Sequence, residues 1–291
     1  MSDVSTTTAV SGLRASLRSM ISRPAAVIGL VVAIGHLLIA LLGPLIVPYD
    51  SAAQDSNVIL QAPSWAHLMG TDRFGRDVFT RTLLGGREAM LISTLSVAIA
   101  MIWGTAVGLG VALTGGRVDQ IVMRTIDALM SIPWIMTVMI FVAALGVGIK
   151  ALIPVLGFSY GLSVVYLARG AALDFVARDF VLAAQARGER RRTIIFTEIF
   201  PNVRDSLAVQ AAMQWSWILL GVSSLSFLGL GVAPPTPDWG VMIAENRGIM
   251  QIAPWTVLWP MAALSSLIVA VNFASDGLAK ALGIDRVRRA P

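Results

Sequence analysis

The sequence lacks cysteine and is poor in histidine and in charge. It contains no cysteine and two histidines, and 13% of its 291 residues are Asp, Glu, Lys or Arg. Without thiols, disulfide bonds and thiolate metal sites are excluded. Because soluble domains carry about 25% charged residues, the low charge also argues against a fold that is solvated mainly by water.

Motifs of catalysis and of nucleotide binding are missing as well. The sequence contains no GxxxxGKS or GxxxxGKT phosphate loop, no HExxH zinc motif and no GxSxG nucleophile motif. These motifs place backbone amides, metal ligands or a nucleophile at the spacing that their chemistry needs. We therefore expect no catalytic residue, no metal site and no cofactor bound by this chain.

Long apolar runs dominate what is present. The mean hydropathy is +0.76, and six stretches contain no charged residue. A helix crosses the hydrocarbon core with about 20 apolar residues, whereas barrel strands alternate over about 10. The sequence predicts an all-α integral membrane protein with six transmembrane helices, within residues 24–49, 89–116, 128–149, 151–168, 206–237 and 248–275.

The basic residues predict the orientation of these spans. If the N-terminus lies in the cytoplasm, 16 of the 22 Lys and Arg residues fall on cytoplasmic segments and 6 on external ones. Basic residues concentrate on the cytoplasmic side, so both termini are predicted to be cytoplasmic. The pI of 10.4 then reflects topology and anionic lipid rather than nucleic acid.

One membrane domain is predicted at residues 25–285, between cytoplasmic tails at 1–24 and 286–291. The first span should stay uncleaved, because its apolar run is too long for a signal peptide and lacks a small-residue cleavage site. Two polar segments elaborate the domain. They are an extracytoplasmic loop at 48–87 and a cytoplasmic loop at 174–202.

The cytoplasmic loop reads DFVARDFVLAAQARGERRRTIIFTEIFPN. Asp179 can cap a helix through its side-chain oxygen, Gly188 suits the left-handed position that ends a helix, and Pro201 should end the helix that follows. Two short helices are therefore predicted, one on each side of Gly188. On physical grounds the loop either docks a soluble protein or lies as an amphipathic connector on the lipid headgroups.

The external loops carry aromatic residues and prolines. Trp65 and His67 lie in the first loop, and Pro235, Asp238 and Trp239 lie in the second. A stiff and partly apolar external surface could receive a partner protein. The same residues could instead cap the helix ends at the membrane interface, where Trp is favoured.

Serines are the main polar residues inside the spans. Ser131 in the third span and Ser223, Ser224 and Ser226 in the fifth are candidates to line a path through the membrane. Arg124 and Asp127 are three residues apart and are predicted to share a helix face, as a structural ion pair or as part of a gate.

Two glycine pairs have the spacing of close helix contacts. Gly104 and Gly108 lie in the second span, and Gly157 and Gly161 lie in the fourth. Small residues four apart let two helix backbones approach. The contact is predicted either within the chain or with a partner protein in the membrane.

Specific sequence blocks occur in both external loops and near the C-terminus. They are HLMGTDRFGRD at 67–77 with Arg81 and GGR at 85–87, SFLGLGV at 226–232 with PPTPDWG at 234–240, and NF at 272–273 with DGL at 276–278. These blocks resemble the second permease subunit of the dipeptide, oligopeptide and nickel importers of the ATP-binding-cassette (ABC) class. The resemblance covers residues 67–285.

The cytoplasmic loop also resembles the EAA loop of bacterial ABC importer permeases. That pattern implies ATPase-coupling roles for Asp179, Leu182, Ala183, Ala184, Gly188, Glu189 and Pro201. Leu182 stands where the pattern begins with glutamate. The contact is therefore expected to be more apolar, or shifted onto Asp179 and Glu189.

The resemblance implies a type I ABC importer permease in the bacterial cytoplasmic (inner) membrane. Such a permease pairs with a homologous second permease, with two cytoplasmic ATPase subunits that bind ATP and magnesium, and with an extracytoplasmic substrate-binding protein. Peptides are the expected substrate, and nickel complexes, sugars and other small solutes stay open. A secondary transporter is the alternative of another class, although it would more often carry intramembrane carboxylates.

Overall fold

The structure is a computed structural model that describes residues 23–282. The predicted tails therefore lie outside the described residues, apart from positions 23 and 24. The helices are α1 (Pro24–Ile46), α2 (Val78–Leu84), α3 (Arg87–Thr114), α4 (Gly116–Met130), α5 (Trp134–Leu145), α6 (Ile149–Val176), α7 (Asp179–Ala186), α8 (Arg191–Ile194), α9 (Phe200–Phe227), α10 (Trp239–Asn246) and α11 (Trp255–Ala281).

Four stretches of the described chain are long and apolar enough to cross a membrane. They are α1, α2 with α3, α6 and α11, and the bent pair of α4 and α5 gives a fifth if it counts as one span. The all-α membrane class is therefore confirmed for this part of the chain. The fifth predicted span, at 206–237, corresponds to α9, which has 28 residues but carries Gln210, Gln214 and several serines; its crossing stays a prediction.

The predicted third span contains a sharp break. α4 and α5 meet at 81°, and Pro133 is the N-cap residue of α5. Proline lacks an amide and disfavours the helical conformation in the residue before it. The transmembrane helix predicted within 128–149 is therefore interrupted before α5, and α5 alone is only about 18 Å long, since each of its 12 residues adds about 1.5 Å.

Two glycine pairs bring α3 and α6 into close contact. A side chain at Gly104 would meet the Gly161 carbonyl oxygen at 2.7 Å, and one at Gly108 would meet the Val165 carbonyl oxygen at 2.7 Å. The Trp103 indole lies against Gly161 and donates to the Gly157 carbonyl oxygen at 3.1 Å. The glycine pairs predicted from the sequence therefore pack within the chain.

The remaining long helices assemble around this pair. α9 packs against α3, α6, α10 and α11, and α1 packs against α11 and α2. The core contains Ile92 from α3, Leu156 from α6, Ile218 from α9 and Leu267 from α11. α1 is the most exposed of these helices, with 17% of its most apolar window buried, as suits a helix that faces lipid or a partner.

We expect Gly104→Ala to destabilise the protein, because its new methyl group would lie 2.7 Å from both the Gly161 carbonyl oxygen and the Val164 Cβ. Overpacking of this kind costs about 1–3 kcal/mol. Gly110→Ala is the matched control, because nothing lies within 4 Å of its added methyl group and alanine favours a helix. Thermal unfolding in detergent should show a lower midpoint for the first variant alone. Equal midpoints for the two variants would contradict the close contact.

Candidate functional site

Two polar regions lie at opposite ends of α3. Its first residues follow α2 and the two glycines at 85 and 86, whereas its last residue, Thr114, accepts a hydrogen bond from the Arg191 guanidinium at 3.1 Å. With 28 residues, α3 is about 42 Å long. We call residues 47–86 and 228–254 the cap, and residues 174–202 the arginine-rich segment.

The arginine-rich segment is anchored on the helix bundle by one face of α7. Val181 and Ala184 are fully buried in a cluster with Leu109 of α3 and Ala168 of α6. The other face is open, and Leu182 is 49% exposed. Of the predicted Leu-Ala-Ala triplet, Leu182 and Ala183 therefore face outward and Ala184 holds the helix in place.

Gly188 ends α7 in the left-handed conformation that the sequence predicts. Its φ is +73°, and the Glu189 amide donates to the Ala184 carbonyl oxygen at 3.2 Å. The Arg187 guanidinium donates to the Glu189 carboxylate at 2.7 and 2.9 Å. Glu189 is thus already paired within the chain.

Two local predictions for the arginine-rich segment are wrong. The N-cap of α7 is Arg178, without a side-chain cap, and Asp179 is the first helical residue. There its charge can favour the positive N-terminal end of the helix, but it makes no capping hydrogen bond. Pro201 does not end a helix either, because it lies in the first turn of α9, where its missing amide is tolerated.

A π-helical turn at Ile195–Ile199 explains how the chain passes Pro201. The Phe200 amide donates to the carbonyl oxygen of Ile195, five residues earlier. This wider turn lets α8 continue into α9 where a proline would break a regular helix. The Asn202 side-chain amide donates to the Glu198 carbonyl oxygen at 2.6 Å. The arginine-rich segment is therefore joined to α9 without a flexible loop.

Ion pairs and a helix-capping hydrogen bond hold the first segment of the cap together. The Asp77 carboxylate lies 2.9 Å from His67 Nδ1 and accepts from the Thr80 amide at 2.7 Å as the cap of α2. The Arg76 guanidinium donates to the Asp72 carboxylate at 2.6 Å and also pairs with Glu245. These bonds tie the first segment of the cap to α10.

A tryptophan from the second segment of the cap lies buried at its centre. Trp239 is 2% exposed and its indole donates to the Thr82 carbonyl oxygen at 2.8 Å. A side chain at Gly86 would meet the Trp239 ring at 2.5 Å. Asp238 is fully buried and accepts from the Val241 amide at 3.0 Å.

The predicted partner-contact residues therefore separate into two groups. Trp65 is 97% exposed, and Pro235 is exposed as well. His67, with an 11% exposed side chain, and the buried Asp238 and Trp239 lie inside the cap. All five residues were predicted to lie in loops, but the sequence does not show which of them are buried.

The four candidate path serines do not form one cluster of similar exposure. Ser131 is exposed at the end of α4, and Ser224 is partly exposed on α9. Ser226 is 1% exposed, and its hydroxyl accepts from the Val232 amide at 3.2 Å. Ser223 is 4% exposed. Ser226, in the last turn of α9, therefore holds the segment that follows this helix.

A polar cluster that was not predicted from the sequence lies between α6 and α9. The Gln214 amide donates to Ser163 Oγ at 3.2 Å, and the Gln210 amide donates to the Gln214 side-chain oxygen at 3.1 Å. The Tyr160 hydroxyl donates to the Trp217 carbonyl oxygen at 3.2 Å. Two glutamines four residues apart inside an uncharged run were the available signal.

The predicted pairing of Arg124 with Asp127 is wrong, since no ion pair joins them in the part of the chain that is described. Asp119 instead accepts two hydrogen bonds from the Arg169 guanidinium, each at 2.6 Å. This bidentate pair links the start of α4 to α6. Asp119 and Arg169 are 50 positions apart, so their pairing depends on the packing of α4 against α6 and not on sequence spacing.

The chain matches two family descriptions. Residues 87–286 match the binding-protein-dependent transport system inner membrane component, and residues 11–63 match the N-terminal TM domain of oligopeptide transport permease C. The first match covers more than half of the chain. The chain therefore belongs to the family of inner membrane components of binding-protein-dependent transport systems, which are permease components of ABC importers.

Several curated relatives align with most of the chain. The dipeptide transport system permease protein DppC of Alkalihalophilus pseudofirmus is 34% identical over 283 residues, covering 94% of this chain and 90% of that protein. The DppC protein of Escherichia coli is 37% identical and covers 88% of each chain. The di/tripeptide transport system permease protein DppC of Pseudomonas aeruginosa is 34% identical, covering 84% of this chain and 82% of that protein.

A solved structure shares the fold. It shows an inward-facing conformation of the MetNI methionine ABC transporter, with a TM-score of 0.58 and 17% sequence identity. The match covers 70% of this chain and 96% of that chain. The predicted permease fold is therefore confirmed for the matched part of the chain.

Asp238 predicts a pH dependence of stability. Burial raises the pKa of this carboxyl to about 6, and the Glu88 charge adds to the rise, whereas an unfolded aspartate titrates near about 3.9. The folded state thus keeps a proton that the unfolded chain has lost, so this stabilisation is present at low pH and is lost as the pH rises through about 6.

We expect wild type to gain about 2 kcal/mol relative to Asp238→Asn when the pH is lowered from 7.5 to 4.5. Asparagine keeps a capping oxygen but does not titrate. Thermal unfolding of both proteins in detergent across this range measures the difference. A difference that stays constant with pH would show that Asp238 does not titrate as inferred.

Proposed function

We propose that this chain and a homologous second permease form the membrane pathway of an ATP-driven importer of di- or oligopeptides. The observation that carries this proposal is the alignment of relatives named for dipeptide transport along about nine-tenths of the chain. In this proposal an extracytoplasmic binding protein delivers the peptide. Two cytoplasmic ATPase subunits bind ATP and magnesium and hydrolyse the ATP, and this chain itself catalyses nothing.

The proposed topology has six spans in a bacterial inner membrane, with both termini in the cytoplasm. α9 supplies the remaining span, the fifth in chain order, because its core residues Ile218, Leu219 and Val222 are fully buried between neighbouring long helices. A polar span is tolerated where its polar groups face protein rather than lipid. Two of the six basic residues assigned outside, Arg76 and Arg81, are buried within the cap. The exposed basic residues therefore favour the arginine-rich segment even more strongly, which supports a cap on the external side and the arginine-rich segment on the cytoplasmic side.

The proposed ATPase contact is the open face of α7. Leu182 and Ala183 would enter the ATPase surface, joined by Phe180, which is 40% exposed. An apolar contact fits this chain, because Leu182 replaces the usual glutamate and Glu189 is already paired with Arg187.

Motion of the docked segment can reach the spans by two routes. Val181 and Ala184 are packed against α3 and α6, and the π-helical turn with Pro201 joins α8 directly to α9. Packed helices move as units rather than bending continuously. Closure of the ATPase dimer would therefore be transmitted to three long helices, which gives alternating access.

The proposed contact for the binding protein lies on the exposed surface of the cap, at Trp65 and Pro235. Aromatic side chains are common anchors of protein interfaces. His67, Asp238 and Trp239 act from inside by holding the two external loops together. This division assigns recognition to the exposed surface of the cap and rigidity to the buried residues beneath it.

The proposed translocation path follows one face of α9. Gln210, Trp217 and Ser224 recur at helical spacing, so they share a face, and none of them is fully buried. Gln214 on the same face is buried, and its hydrogen bond to Ser163 holds this face against α6. Ser131 lies at the exposed bend between α4 and α5. Ser223 and Ser226 are buried, and we assign them to packing beside the path.

Substrate class is tested through the binding protein. We expect the cognate binding protein to bind peptides in preference to nickel complexes and sugars when its affinity for a panel is measured by calorimetry. In proteoliposomes that contain the full complex, uptake should require ATP. Uptake that survives ATP depletion and follows a proton gradient would favour a secondary transporter, and failure of all peptides to bind would exclude the peptide substrate.

We expect Gly188→Val to lower both transport and transport-linked ATP hydrolysis. The left-handed backbone at this position disfavours a side chain by about 1–2 kcal/mol and a β-branched one by more, although nothing lies within 4 Å to clash with it. The strain should displace α7 while insertion in the membrane is unchanged.

Gly170→Val is the matched control, because it has equal open space but a helical backbone within α6. Both variants should insert and assemble with the second permease, as judged by copurification. If Gly188→Val transports as well as the control, the left-handed turn is not needed for coupling.

A further inference from the structure

A cavity of about 490 Å³ opens at the cap end of the bundle. Its walls come from the first turn of α3, the loop between α5 and α6, and the loop that follows α9. Its volume lies within the range of about 300–1,000 Å³ that small-molecule sites occupy. Most of its lining is apolar, and its charged side chains are Glu88 and Lys150.

These two charges are not satisfied by each other or by other side chains in the described residues. One oxygen of Glu88, Oε2, is buried without a hydrogen-bond partner there, and Lys150 is exposed and joins no ion pair. A buried carboxylate oxygen without a partner costs free energy until a donor reaches the group. The cavity therefore presents an acceptor and a cation that are both available to a ligand.

The surroundings of Glu88 add to its preference for a cation. The buried carboxyl of Asp238 lies close enough for the Glu88 charge to raise its pKa. Two acidic groups in a poorly solvated place create a negative potential. A neutral ligand gains little from that potential, whereas an ammonium group gains from it directly.

Two glycines against which nothing is packed lie at the rim of the cavity. Gly146 and Gly148 have φ values of +90° and +135°, and nothing lies within 4 Å of an added Cβ at either position. A second cavity of about 550 Å³ shares Val147, Val232 and Ala233 with the first and reaches the exposed Arg247. A ligand longer than one cavity thus has a continuous surface with a second cation farther along.

We propose that this cavity binds the charged ends of a peptide, with Glu88 pairing with the α-ammonium group and Lys150 with the carboxylate. The inference rests on the peptide substrate proposed above. A free peptide carries one ammonium and one carboxylate at its ends, which matches the two unpaired charges, whereas a neutral sugar carries neither. Longer peptides extend into the second cavity towards Arg247.

The test measures equilibrium binding of radiolabelled dialanine to the assembled complex in nanodiscs without binding protein. N-acetyl-dialanine lacks the ammonium charge, and dialanine amide lacks the carboxylate. We expect Glu88→Gln to weaken binding of dialanine about tenfold or more, the scale of a lost charged hydrogen bond, and to leave N-acetyl-dialanine unchanged. Lys150→Gln should do the same for dialanine and leave dialanine amide unchanged.

Asp50→Asn is the matched control, because Asp50 is an exposed carboxylate of the cap that does not line the cavity; it should bind dialanine as wild type does. Equal dialanine affinity in wild type and Glu88→Gln, or no binding to wild type, would overturn the inference. If Glu88→Gln instead weakens docking of peptide-free binding protein and leaves dialanine binding unchanged, the cavity receives a protein lysine and the inference is also overturned. Peptide binding by the binding protein, measured separately, shows whether the proposed function itself stands.

Discussion

The close contact between α3 and α6 is the constraint on which the rest of the structure depends. Lipid tails are as apolar as leucine, so helices in a membrane associate mainly through packing and hydrogen bonds. Gly104 and Gly108 remove the side chains that would separate the two backbones, and the Trp103 indole adds a hydrogen bond to Gly157. Because α3 carries the cap at one end and Thr114 at the other, this contact fixes both candidate sites on one rigid axis.

The cap shows why blocks rich in charge can be structural. The Arg76 side chain donates to Asp72 and Glu245, and the Arg76 amide donates to Asp72 as well. Asp77 lies within hydrogen-bond distance of His67 and accepts from the Thr80 amide. Such pairing makes burial of charge tolerable. Their bonds connect residues far apart in sequence, since Arg76 and Glu245 are 169 positions apart. A strongly patterned loop can therefore serve to hold an exposed residue such as Trp65 in place rather than make the contact itself.

Sequence alone predicted the features that depend on local chemistry. The all-α class follows from long apolar runs, and the left-handed Gly188 follows from its place after a short helix. The burial of Trp239 and the pairing of Asp119 with Arg169 depend on contacts between distant elements, so spacing could not reveal them. Pro201 was misjudged because the compensating π-helical turn arises from hydrogen bonding that composition does not encode.

The replacement of glutamate by Leu182 is consistent with the geometry around it. A carboxylate at this exposed position would lie on a helix whose next turn holds Arg187, which already pairs with Glu189. Leucine keeps a good helix former there and adds an apolar surface beside Phe180, which is itself exposed. The proposed coupling surface therefore relies on shape and apolar contact rather than on an ion pair, while the buried Val181 and Ala184 fix the position of α7 on the helix bundle.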